Sequence, residues 1–151
     1  MLIFIASFAA TAVLALVQTT NWLILGAFIK PNLILATLIV LALVNPGWMK
    51  RAILIATAAL ILKFTPALAV ADLIFVGAAT TSILLLDFLP WQGSVNLLAA
   101  IVVGTAVMNL QQLVLLPLIY EIILNLLIAF ILYTLLKLID VPQVKLQRGR
   151  F

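Results

Sequence analysis

The chain reads as an all-α protein: a polytopic integral membrane helix bundle with about six transmembrane helices. Three observations predict this. Charged residues make up 8% of the 151 positions and hydrophobic ones 68%, too little charge to cover a water-facing exterior. Residues 88–120 contain no charged side chain, and neither do residues 1–29. Breaks rich in proline, glycine and asparagine cut the rest into stretches near the length that crosses a bilayer.

The first span is expected over about Leu2–Val17. It lacks the basic start of a secretory signal, so it reads as a span and not as a cleaved leader. Gln18 to Asn21 form a polar break, and Trp22 to Ile29 is apolar but too short to cross, with Trp22 at headgroup depth. Lys30-Pro31-Asn32 opens the second span, where proline suits a helix start because its missing N–H has no partner there. Asn45-Pro46-Gly47 ends it, and Trp48, Lys50 and Arg51 mark an interface.

The third span covers about Ala52–Phe64, short and closed by Lys63, whose stem can snorkel. Spans three and four could instead form one broken hairpin, giving five spans. The fourth runs over about Ala67–Leu86 and stops at the turn Asp87–Gly93. The fifth spans about Ser94–Leu110, ending near Asn109, Gln111 and Gln112. The sixth runs over about Leu118–Ile139. Residues 1–140 thus form a single transmembrane domain, and residues 141–151 a basic cytoplasmic tail. With six spans, one side receives Lys50, Arg51, Lys137, Lys145, Arg148 and Arg150, and the other only Lys30 and Lys63. The excess of basic residues places both termini in the cytoplasm.

Composition excludes much chemistry. There is no cysteine and no histidine, which removes thiol nucleophiles and the usual base near neutral pH. The four acids, Asp72, Asp87, Glu121 and Asp140, are far apart in sequence. No glycine-rich phosphate loop appears, and a net charge of +4 is too dispersed for nucleic acid. An enzyme is not expected, and neither a catalytic, cofactor nor metal site can be drawn from these residues.

The candidate interhelical, partner or ligand contacts are Lys30, Lys63, Asp72, Asn96, Ala100, Gly104, Glu121 and Asn125. Ionisable groups near spans mark function or pairing. The favoured pairs are Lys63 with Asp72 and Lys30 with Glu121, against the plainer reading that all four reach headgroups or water. Glu121, Asn125 and Ala129 recur at four-residue spacing and share one helix face, as do Asn96, Ala100 and Gly104. Gly77 to Thr80 make a thin region in the fourth span. Small and amide residues at this spacing suit close helix packing, within the chain or with a partner's span. The basic tail is expected on anionic lipid.

Two stretches carry a family resemblance. Lys30-Pro31-Asn32-Leu33-Ile34-Leu35 is similar to the start of the second span in the rod shape-determining MreD family, and Tyr120-Glu121-Ile122-Ile123-Leu124-Asn125-Leu126-Leu127 resembles its last span. Size, span number, short loops and basic tail fit the same layout. The family shows a small polar, glycine-containing turn after its third span, and Asp72-Leu73 has none. The resemblance implies a non-enzymatic scaffold of the cell-wall elongation machinery in the inner membrane. Its partners would be lipid, an MreC-like single-span protein and wall synthases, with a second copy of the chain also a candidate. It further implies a fold like the substrate-binding S component of energy-coupling factor transporters. That leaves a second function open: a vitamin transporter subunit, in which Trp22, Asp72, Glu121 and Asn125 would contact ligand.

Overall fold

The computed structural model describes residues 1–20, 31–63, 70–90, 93–111 and 114–138. Among them are six α-helices and no strand: α1 (Leu2–Thr19), α2 (Leu33–Val44), α3 (Trp48–Leu62), α4 (Val70–Phe88), α5 (Gly93–Met108) and α6 (Leu115–Leu138). Three of them, α1, α4 and α6, are long and apolar enough to cross a membrane. The stretches around Trp22 and Lys30, and the basic tail, lie outside the described residues.

The organising element is α2. Its sequence, LILATLIVLALV, is apolar on every side, so no face of it prefers solvent or the surface. All of its residues but Leu33 are buried, and it touches each of the other five helices. Asn32 caps its start by accepting a hydrogen bond from the Leu35 N–H at 3.1 Å.

Hydrogen bonds at the ends of α2 fix the direction of its neighbours. Ser7 of α1 meets Asn45 at the foot of α2, and Gln18 meets Asn32 at its head. Arg51, in the first turn of α3, and Asp87, in the last turn of α4, pair at the foot. Asn96 of α5 bonds carbonyls at the end of α4, while Thr105 of α5 bonds Asn125 of α6 near the head. The six helices therefore alternate in direction along the chain. Helices α3 and α4 are separate elements among the described residues.

Helix boundaries differ from the sequence expectation at two charged residues. Trp48 to Arg51 belong to α3 and not to an interfacial turn, and Asp87 belongs to α4. Both extensions follow from one contact, because pairing Arg51 with Asp87 holds those two helix ends against the foot of α2.

The exterior is apolar and the interior holds the amides and hydroxyls. Helix α6 buries only Asn125 and Ala129 among its 24 residues, and turns Ile123, Leu127, Phe130 and Ile131 outward. Helix α1 buries Ser7, Thr11 and Ala15, one small stripe at four-residue spacing, and exposes Leu2, Ile5, Phe8 and Leu16. The interior is otherwise apolar, as in a water-soluble bundle, but so apolar an exterior is not, and it suits an apolar surround.

Helices α4 and α5 approach closely at one glycine. Gly104 faces Ser82, and a Cβ at position 104 would overlap the Ser82 hydroxyl oxygen while touching Leu35 Cδ2 at 3.4 Å. That hydroxyl donates to the Ala78 carbonyl at 2.7 Å, so it cannot swing aside without losing its partner. Gly77, by contrast, faces outward with open space around it. Gly104→Ala is expected to lower stability by about 1–3 kcal/mol through overpacking. Ser82→Ala combined with Gly104→Ala should recover most of that loss, as read from thermal unfolding in detergent.

Candidate functional site

The two ends of α2 are the chemically distinctive places. A helix end leaves backbone N–H or C=O groups without intrahelical partners, and burial forbids water from supplying them. At the head, Gln18 of α1 accepts from the Ile34 N–H at 2.8 Å and donates to Asn32 Oδ1 at 3.3 Å. The Asn32 N–H donates to Asn125 Oδ1 at 2.8 Å. Asn125 Nδ2 donates in turn to Thr105 Oγ1 at 3.0 Å. The cluster extends to Asn109, whose Nδ2 donates to the Thr105 carbonyl and to Glu121 Oε2, both at 2.9 Å. Four helices are joined by this chain of amides, with Asn125 1% exposed at its centre.

At the foot, Asn45 Nδ2 donates to Ser7 Oγ at 2.9 Å and to the Leu41 carbonyl at 3.0 Å. Arg51 Nε donates to the Asn45 carbonyl at 2.8 Å and Nη2 to the Ala42 carbonyl at 3.0 Å. Its Nη1 pairs with Asp87, and the guanidinium lies 5.6 Å from the Trp48 ring centroid. The Arg51 side chain is 4% exposed and that of Asp87 33%. A guanidinium suits this place because its planar fork can serve carbonyls and a carboxylate together.

The helix dipole explains which charges need partners. Asp87 sits at a helix C-terminus and Arg51 near a helix N-terminus, the unfavourable end for each sign. Their pairing offsets both. Lys63 caps the C-terminus of α3 and Asp72 lies in the first turn of α4, the favourable end for each. Arg51 pairs with Asp87, a pairing that sequence reasoning does not name. The pairing of Lys30 with Glu121 falls on a residue outside the described ones, and the carboxylate is held by Asn109.

Of the other sequence candidates, Asn96, Ala100 and Gly104 are all buried, with α5 packed on α4 and α2. Asn96 Nδ2 donates to the Leu89 carbonyl at 2.8 Å, and its Oδ1 is buried without a partner. Asn125 and Ala129 are likewise inside. These faces pack against the chain's own helices, the first of the two alternatives that their spacing left open. Sequence reasoning missed three residues. Arg51 reads as an interfacial cation in the sequence and is buried in the structure. Gln18 and Asn45 read as helix breaks and are hydrogen-bonding partners of α2 and α1. The Ser7-Thr11-Ala15 stripe carried the same spacing signal that identified α5 and α6.

The chemistry available is that of amides, hydroxyls, one ion pair and the carboxylate of Glu121. Among the described residues no three acids gather as a metal site would require. The arrangement joins helices.

Arg51→Met is expected to cost about 3–5 kcal/mol, the cost of breaking a buried pair, since it strands Asp87 and two buried carbonyls. Arg51→Lys should recover only part, because an ammonium cannot span the same three acceptors. Chemical denaturation in mild detergent would measure both. Compared with protein-family models, with curated proteins and with solved structures, the chain matches none.

Proposed function

We propose that the chain crosses the cell inner membrane six times, with both termini in the cytoplasm. In this reading it serves as a non-enzymatic scaffold subunit of the wall-elongation machinery, of the MreD type. One observation carries the reading. The two stretches that bear the family resemblance, Lys30–Leu35 and Tyr120–Leu127, meet in space through the bond from the Asn32 N–H to Asn125 Oδ1. The same positions that suggested the family form the joint that seats the central helix. Their use as a joint also argues against a ligand role, because their polar atoms are engaged with one another.

The apolar exterior of the bundle and its alternating helix directions support six crossings. Removing buried Arg51 from the basic count leaves five residues on the proposed cytoplasmic side against two, so the orientation stands. Partner recognition then falls to the outward faces of α1, α4 and α6, where large apolar side chains are exposed.

A pull-down of tagged full-length chain from native membrane in gentle detergent tests the function. Recovery of an MreC-like protein with wall synthases is expected. Recovery of an ATPase pair with a coupling membrane subunit would overturn the scaffold reading and make the chain a transporter component. Topology has its own test, simplified by the absence of cysteine. Gly47→Cys should react with a membrane-impermeant maleimide only from the cytoplasmic face, and Gln111→Cys only from the outside. Both positions are exposed.

A further inference from the structure

The two ends of the bundle carry different charge. Among the described residues the exposed cations are Lys50 and Lys137, and both lie at the foot. Lys50 is in the first turn of α3 and Lys137 in the last turn of α6. Asp87, the acid at the same end, is taken by Arg51. Among the described residues no acid pairs with Lys50 or Lys137, so the foot keeps its positive charge. The head carries charges of both signs, in the partly exposed Lys63, Asp72 and Glu121.

At the foot of α3 the charge adjoins an aromatic ring and an apolar face. Met49, Ile53 and Leu60 are exposed and share one side of the helix. Successive residues of a helix are turned by about 100°, so Trp48 and Lys50 flank that face on either side of Met49. Both are exposed. The last turn of α6 repeats the pairing, with Lys137 Nζ 4.6 Å from the Tyr133 ring centroid, a contact that holds an ammonium without neutralising it. A ring and a lysine at the end of an apolar face suit headgroup depth.

Resting on the membrane reading above, we infer that the foot of α3 is a binding site for an anionic phospholipid. Its acyl chains lie along Met49, Ile53 and Leu60, and its phosphate is held at Lys50 beside Trp48. A zwitterionic lipid fits the same apolar face, but its own ammonium competes with the lysine for the phosphate. The site belongs to the bundle and is separate from the basic tail.

Trp48 serves as the reporter, and Trp22→Phe with Trp91→Phe leaves it the only tryptophan of three. The full chain is reconstituted into phosphatidylcholine vesicles containing chain-brominated phosphatidylglycerol or chain-brominated phosphatidylcholine at equal fractions, and quenching of Trp48 gives the relative binding of the two. Phosphatidylglycerol is expected to bind roughly fivefold more strongly, the effect of one lysine at an anionic surface. Lys50→Gln should bring the ratio close to one, and so should salt at about 0.5 M. Lys63→Gln, at the head, should leave it unchanged, as should neutralising the tail with Lys145→Gln, Arg148→Gln and Arg150→Gln. Equal quenching by the two lipids, a ratio that survives Lys50→Gln, or one lost with the tail charges would overturn the site while leaving membrane insertion intact. Quenching by neither lipid, together with failure to co-float with vesicles, would overturn the membrane reading and the site with it. Should a variant misfold, quenching of the unaltered chain by the two lipids at low and high salt still decides.

Discussion

A helix buried on every side has two exposed problems, and both are at its ends. Side-chain packing along α2 is satisfied by Leu, Ile, Val and Ala against five neighbours. The orphan N–H groups at the head and carbonyls at the foot have no such remedy, since each unsatisfied buried group costs about 1–3 kcal/mol. Most of the polar interior can be understood as the answer. Gln18, Asn32 and Asn125 supply the head, and Arg51 and Asn45 the foot. Each of these side chains except Asn32 and Asn45 comes from a different helix. Satisfying α2 therefore assembles the bundle.

Among the described residues, Arg51 is the buried cation, and it lies at the foot. A buried arginine is costly alone, and Arg51 is tolerated because every face of its guanidinium finds a partner: two carbonyls, the Asp87 carboxylate and the Trp48 ring. The dipoles sharpen the choice. Carbonyl ends of α2 and α4 converge there, and a positive charge is favoured where they meet.

The helices were legible in the sequence because breaker clusters such as Asn45-Pro46-Gly47 carry a local signal. The interior faces of α5 and α6 were legible too, since Asn96, Ala100 and Gly104, and Asn125 and Ala129, repeat at helical spacing. What the sequence concealed was depth and partnership. Nothing local to Arg51 separates a buried cap from an interfacial cation beside a tryptophan, and Lys50 next to it does face outward. Gln18 looks like the end of a span because it is one; that it serves a second helix depends on how α1 and α2 cross. Long-range pairing, as between Asn32 and Asn125, leaves no trace in periodicity.

The bond between Asn32 and Asn125 also has a temporal side. The two residues are separated by 93 positions, so α2 leaves the ribosome long before its head can be sealed. Until α6 follows, the Asn32 N–H at the head of α2 has to wait for Asn125. Final seating of α2 thus comes late in biogenesis, after α6 has been made. Premature release of the nascent chain before residue 125 would leave the central element unsealed, however well the earlier helices had been inserted.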